Sequence, residues 1–243
     1  METIGPDIID VWSWNLDIPL SHPSTAWLSA DECARADRFV QDRDRRRFIA
    51  ARSGMRQILG CYLGLSPGSV CFEYGDNGKP SVVTDGACPI HFNLSHSADL
   101  ATLAVSDRYE LGIDIEEIRF LKEDIAKWFF SDREYKTLRS FPAEDYLDGF
   151  YRCWTRKEAF VKAHGAGLTL PLDSFDVAFD KSGASRLERL EGDPDAPRNW
   201  AVLDLATPIN FAGAVVASTA GHPVSLRYRR DDTAQIVSRA SRI

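Results

Sequence analysis

Residues Trp154–Leu168 read WTRKEAFVKAHGAGL, a helical stretch that sets Glu158 and Lys162 four residues apart and then stops on Gly165-x-Gly167. A Glu followed by Lys at i+4 is the common surface pair of a soluble helix, worth about 0.2–0.5 kcal/mol. Gly165 and Gly167 serve equally well as C-cap and turn residues. A site that holds a metal and a phosphate would use the same spacing for another purpose. The stretch leaves both readings open, and its surroundings have to choose.

The stretch closes a helix expected over 144–163, after helices over 122–130 and 131–140. Strands are expected at 173–179, 199–206, 211–217 and 223–229, and RDDTAQIVSRASRI at the end is polar enough to fray. Ahead of it, IIDVWSWNLD alternates as a strand does, and Ser29 or Asp31 can cap a helix through ADECARADRF. From Arg45 to Leu63 the spacing of Phe48, Met55, Leu59 and Tyr62 gives a helix with one apolar face, and Arg45, Arg52 and Arg56 share an adjacent face. Leu65–Gly68 is a turn, Val70–Tyr74 a strand, and GDNGKP (75–80) a loop of breakers. Residues 90–106 form a hairpin bent at Ala98-Asp99, and Leu111–Glu116 is a further strand. Each half runs from helices to strands, which gives an α+β fold rather than a regular α/β alternation. No linker separates the halves in the pattern.

Composition narrows the function. The 243 residues are 44% hydrophobic and 27% charged, an ordinary globular balance. No apolar run approaches the roughly 18–20 residues that span a bilayer. The N-terminus carries acids where a signal peptide carries bases, so a soluble, cytoplasmic protein is expected. Cys33, Cys61, Cys71, Cys88 and Cys153 are odd in number and form no C-x-x-C pair, as expected of small hydrophobic thiols. Net charge is −7, which does not advertise nucleic-acid binding. Eight arginines nevertheless crowd between Arg35 and Arg56. They suit a small anionic ligand, or a solvated helix face paired with Asp37, Asp42 and Asp44.

In LGIDIE (111–116), Asp114 and Glu116 share one strand face and Ile113 and Ile115 the other. Adjacent carboxylates repel unless water or a cation lies between them. A hard cation such as Mg2+ accepts that arrangement, and so does a solvated edge strand. Asn93-Leu94-Ser95-His96-Ser97 gathers amide, hydroxyl and imidazole donors at a strand end, which suits phosphate oxygens. Ser95 and His96 are not a nucleophile and its base, because neighbours on a strand face opposite ways and no G-x-S-x-G elbow is present. Gly-x-Gly-x-x-Gly and Walker A sequences are absent.

Taken in order, GKP (78–80), FNLSHS (92–97), GIDIE (112–116) and WTRKEAFVKAHGAGL closely resemble the 4′-phosphopantetheinyl transferases of the Sfp type. FFSDREY (129–135) resembles that family's F-F-x-x-x-E segment, though Trp128 stands where the family often has a base. The resemblance covers roughly Leu28 to Val177. It implies two similar α+β halves related by a pseudo-twofold, residues 1–110 and 111–243, with the active site in the cleft between them on a monomer. The reaction implied moves the phosphopantetheine arm of coenzyme A to a serine of an apo acyl or peptidyl carrier protein.

The resemblance also implies roles. Asp114, Glu116 and Glu158 would hold Mg2+ (Mn2+ suits the same oxygens), and Lys162 would clamp phosphate. Ser95 and His96 would touch phosphate, Lys79 and Pro80 would lie along the adenine nucleotide, and Arg47 and Arg52 would meet the 3′-phosphate, with Arg45 or Arg46 in reserve. Glu158, a metal-bound water or Glu134 would take the serine proton. Exposed apolar residues with Lys122, Lys127, Lys136 and Arg139 would dock the carrier. A Mg2+-dependent hydrolase of coenzyme A, or a coenzyme A binding module without catalysis, is the alternative.

Overall fold

The computed structural model describes residues 3–18, 25–84, 90–180 and 184–229. The polar C-terminal stretch from Arg230 and Cys88 lie outside the described residues. In chain order the elements are β1 (Ile8–Asn15), α1 (Ala30–Ala36), α2 (Asp42–Leu63), β2 (Phe72–Tyr74), β3 (Pro80–Val82), β4 (His91–Ser97), β5 (Leu100–Ser106), β6 (Leu111–Glu117), α3 (Ala126–Phe129), α4 (Asp132–Arg139), α5 (Tyr146–His164), β7 (Phe175–Val177), β8 (Leu187–Leu190), α6 (Ala196–Asn199), β9 (Trp200–Asp204), β10 (Phe211–Ser218) and β11 (Ser225–Arg229).

Sheet order exposes a repeat. The first sheet contains β1-β5-β4 and the second is β6-β10-β9, so with β11 set aside the first strand of each half pairs with its last and the penultimate strand lies at the edge. Between first and last strand each half inserts a long helix, α2 or α5, and a small antiparallel ribbon, β2-β3 or β7-β8. This is the α+β duplication expected of two pseudo-twofold halves. The final strand crosses the division expected at residue 110, for β11 pairs in parallel with β1.

Burial follows the strand period. Ile9 and Val11 on one face of β1 pack with Ala104, Leu111, Ile113, Val215 and Ala217, joining the two sheets. Trp12 and Trp14 on the other face pack against Met55, Leu59 and Tyr62 of α2. Phe150 and Phe160 of α5 centre the core of the second half. Asp10, fully buried on the tryptophan face, accepts hydrogen bonds from Tyr62 and from Arg227 of β11, so the returning strand carries its counter-charge.

Several elements are shorter than the sequence suggests. The expected helix over 122–130 is one turn at 126–129, and the expected strand at 173–179 is reduced to 175–177 by the 3-10 turn Leu172–Ser174. The hairpin over 90–106 stands, with Ala98 at φ 49° in its bend.

Candidate active site

Strand β6 turns Gly112, Asp114 and Glu116 to one side, and the buried Ile113 and Ile115 to the other. Gly112 marks where α5 crosses closest. A Cβ there would lie 2.2 Å from the Ala159 carbonyl oxygen and 2.3 Å from the Ala163 nitrogen. Only glycine lets the helix settle this low over the strand, and the crossing lies within one turn of both Glu158 and Lys162. The helix then ends on Gly165, left-handed at φ 79°.

The site forms where β4 of the first half meets β6. As an edge strand β6 would expose unpaired N–H groups. Side chains from alternate residues of β4 satisfy them instead: Asn93 Oδ1 accepts from Ile113 N at 3.0 Å, Ser95 Oγ from Ile115 N at 3.4 Å, and Ser97 Oγ from Glu117 N at 3.1 Å. The N-x-S-x-S pattern is therefore a stitch between the two sheets. Ser95 faces inward, donating to Asp114 Oδ1 at 3.0 Å, and Ser97 donates to Glu116 Oε2 at 2.7 Å. The hydroxyl of Ser95, expected to touch phosphate, is engaged here by Asp114, the Ile115 N–H and Lys162.

Lys162 ties the halves together. Its ammonium donates to Asp114 Oδ1 at 2.6 Å, Ser95 Oγ at 3.1 Å and Ile113 O at 3.2 Å. The other carboxylate oxygen, Asp114 Oδ2, is buried without a hydrogen-bond partner. Burial raises the pKa of Asp114 against the pull of Lys162. Burial raises Glu116 as well, with the charge of Asp114 adding to it. Glu158 is raised by burial and then by Asp114 and Glu116.

Three carboxylates thus stand close enough to oppose one another's ionisation, with one buried oxygen orphaned. An all-oxygen set of this kind fits a hard divalent cation. Among the described residues no group of three or more His, Cys, Asp or Glu side chains is gathered as a metal shell, and Lys162 pairs with Asp114.

His96, next to Ser95, points the opposite way and is exposed. Desolvation and then the charges of Lys162 and Arg35 hold its imidazole below its usual pKa. Arg35 of α1, stacked on Phe48, therefore belongs to the same electropositive neighbourhood, a residue that spacing along α2 could not single out. Lys79 of the GKP loop bonds Glu110 Oε2 at 2.8 Å and Ala163 O at 3.2 Å. Pro80 opens β3 opposite Tyr74.

The structure does not bring Arg47 and Arg52 together on one ligand position. Arg47 makes a two-pronged contact with Asp17 at 2.8 and 2.6 Å, while Arg52 holds the buried Glu32 at 2.5 Å beside Arg56. Arg45 pairs with Asp37 and Arg46 with Asp42. The helix period placed these arginines correctly on α2, but acids from other segments claim Arg45, Arg47 and Arg52, and Asp42 of α2 itself pairs with Arg46.

Glu134 is 2% exposed and faces away from the site. It caps α4 through Ser131, accepts from Val177 N at 2.9 Å and pairs with the fully buried Lys157 at 2.6 Å. In W-T-R-K-E the lysine therefore turns into the core and the glutamate toward the site, which removes Glu134 as a proton acceptor. Cys153 is a buried thiol whose pKa burial pushes well up, the opposite of a nucleophile's environment.

Two family models match along the chain. One described as the 4′-phosphopantetheinyl transferase superfamily matches residues 110–219, and one described as 4′-phosphopantetheinyl transferase, N-terminal, matches residues 14–108. The 4′-phosphopantetheinyl transferase HetI of Nostoc sp. is 40% identical over 224 residues, covering 90% of this chain and 91% of that protein. The chain belongs to the 4′-phosphopantetheinyl transferase superfamily. The 4′-phosphopantetheinyl transferase Sfp of Bacillus subtilis is 32% identical over 177 residues, 71% of this chain and 78% of that protein. A human relative, L-aminoadipate-semialdehyde dehydrogenase-phosphopantetheinyl transferase, is 33% identical over 202 residues, 74% of this chain and 65% of that protein. No helix among the described residues is long and apolar enough to cross a membrane.

Proposed function

We propose that the protein transfers the 4′-phosphopantetheine arm of coenzyme A to a serine hydroxyl of an apo acyl or peptidyl carrier protein, releasing adenosine 3′,5′-bisphosphate. The observation that carries the reading is the orphaned Asp114 Oδ2 among three mutually opposed carboxylates, with Lys162 between them and the β4 strand. Asp114, Glu116 and Glu158 would hold Mg2+, or Mn2+ by the same oxygen chemistry. When bound, the ion would neutralise charge on the pyrophosphate of the donor.

The chain's own residues account for the rest. Lys162, freed from Asp114, presents an ammonium to the phosphates. His96 and Arg35 supply further donors at the mouth of the site, with Lys79 and Pro80 along the nucleotide. Glu158 as a ligand of the ion would be a weak base, so its part is to orient a water that takes the serine proton. The serine oxygen bonds to the β-phosphorus, its proton passes to that water, and the bond from that phosphorus to the bridging oxygen breaks. Because the leaving group is already a phosphate, positioning and charge neutralisation do most of the work.

For the carrier, Phe120 (81% exposed), Trp128 (72%) and Phe129 form an apolar face. Beside it Phe120, Leu121, Lys122, Arg139, Phe141 and Tyr146 line a cavity of about 660 Å³. Lys122 and Arg139 line it together with Glu123 and Asp124, and Lys127 lies over the Trp128 ring. An enzyme with a coenzyme A donor and a carrier acceptor would work in the cytoplasm, here as a monomer.

The test is to follow coenzyme A and adenosine 3′,5′-bisphosphate by chromatography, with and without apo carrier. Nucleotide release that requires the carrier supports transfer. Release to water alone points to a hydrolase, and binding without release points to a coenzyme A binding module.

A further inference from the structure

The loop between β2 and β3 belongs to the first half, yet it is fastened to the end of α5. Asn77 Nδ2 donates to Gly165 O at 2.9 Å, and Lys79 Nζ donates to Ala163 O at 3.2 Å. Carbonyls at a helix end lack partners within the helix, and the ammonium there meets the negative end of the helix dipole. Gly167, at φ +57°, completes the seat, since a Cβ on it would stand 3.3 Å from Asn77 Cβ. The second glycine of the Gly-x-Gly thus leaves room for a residue of the other half.

Glu110, just ahead of β6, holds this loop from its other side. Its Oε2 accepts from Lys79 at 2.8 Å and its Oε1 from His91 Nδ1 at 2.8 Å. Those two partners, His91 first, bring its carboxyl down to about 2, so it is ionised throughout any working range. Lys79 has three N–H donors, and two of them have acceptors among the described residues.

We propose that Glu110 is a positioning residue for the donor: with Lys79, Asn77 and His91 it clasps the loop 75–79 to the end of α5. The loop that meets the nucleotide and the helix that carries Glu158 and Lys162 are thereby registered to each other before coenzyme A binds. The inference rests on the transferase reading and adds to it a residue outside the reacting centre. A half-exposed ion pair with no such role would be worth little to stability or binding, which makes the two cases separable.

The experiment is titration calorimetry of coenzyme A, in Mg2+ buffer without carrier, on the full chain and its Glu110→Gln, Lys79→Met and Glu110→Gln/Lys79→Met variants. Melting temperatures and steady-state constants are measured alongside. Glu110→Gln is expected to weaken coenzyme A binding about tenfold, the scale of losing one preorganising contact. It raises KM for coenzyme A, holds kcat and the carrier KM within about twofold, and shifts Tm by less than about 2 °C. The double variant is no weaker than Lys79→Met alone, because Glu110 acts through Lys79. Binding by Glu110→Gln within twofold of the unaltered chain overturns the clasp. So do additive losses, or a large Tm drop with kcat falling alongside. An unaltered chain that neither binds coenzyme A nor modifies a carrier overturns the transferase reading, and the clasp falls with it.

Discussion

Gly112→Ala tests whether the α5–β6 crossing sets the active site. The new methyl group would sit 2.2 Å from Ala159 O, 2.3 Å from Ala163 N and 2.8 Å from the Lys162 carbonyl carbon. The nearest contact is about 1.2 Å inside ordinary carbon–heavy-atom separation. All three atoms are helix backbone, so no side chain can rotate away, and α5 must lift as a unit by about 1 Å. Overpacking of this kind costs about 1–3 kcal/mol. At the upper end that lowers the Tm of a domain this size by about 6–12 °C. The same displacement carries Glu158 and Lys162 away from Asp114, and a misplacement of about 1 Å can cost on the order of a hundredfold in rate. The assay is carrier modification under single-turnover conditions, paired with calorimetric melting. A Gly112→Ala protein that melts and reacts like the unaltered chain would refute the claim that this contact fixes the catalytic geometry.

Lys157→Met should destabilise the protein by about 3–5 kcal/mol, because Glu134 is left buried and uncompensated, while Lys157→Met combined with Glu134→Leu recovers much of the loss; denaturant melts read both. Glu158→Gln should raise Tm near neutral pH while abolishing transfer. The folded pKa of Glu158 is raised, so its ionisation opposes folding above that pKa, and the Tm gain fades as pH falls toward the ordinary carboxylate value near 4.5. Glu110 behaves in the opposite sense. Its folded pKa of about 2 lies below the ordinary 4.5, so its contribution is complete above about 4.5 and is lost toward pH 2. The Tm gap between the unaltered chain and Glu110→Gln, kept under about 2 °C at neutral pH because the pair is half-exposed and screened, should therefore close over that interval. Phe120→Ser with Lys127→Glu should raise the carrier KM about tenfold or more, leaving coenzyme A binding unmoved; an unchanged carrier KM would remove this face from the interaction.

The parts of the fold legible in sequence were those fixed by local period or by an ordered motif. Asp114 and Glu116 on one face of β6, the helix carrying Glu158 and Lys162, and the hairpin turning at Ala98 all follow from spacing. What was not legible depends on segments far apart in the chain. Whether Ser95 or His96 faced the ligand depends on β6 lying against β4, and Ser95 is drawn inward by Asp114 and the Ile115 N–H. Arg47 and Arg52 follow the helix period, but Asp17 and Glu32, from other loops and helices, decide what they hold. Lys157 reads as one more surface lysine until Glu134 is placed 23 residues earlier in the same core. Strands β3 and β8 span three and four residues, too short for any alternation to register.

The most direct test of the transferase site is intact-mass spectrometry of an apo carrier incubated with coenzyme A, Mg2+ and either the unaltered chain or Glu158→Gln. The expected result is a carrier heavier by one phosphopantetheine with the unaltered chain, dependent on Mg2+, and no gain with a Glu158→Gln protein that still melts cooperatively. A full gain with Glu158→Gln, or a gain that persists after thorough chelation, would contradict the assignment of the chemistry to Asp114, Glu116, Glu158 and Lys162.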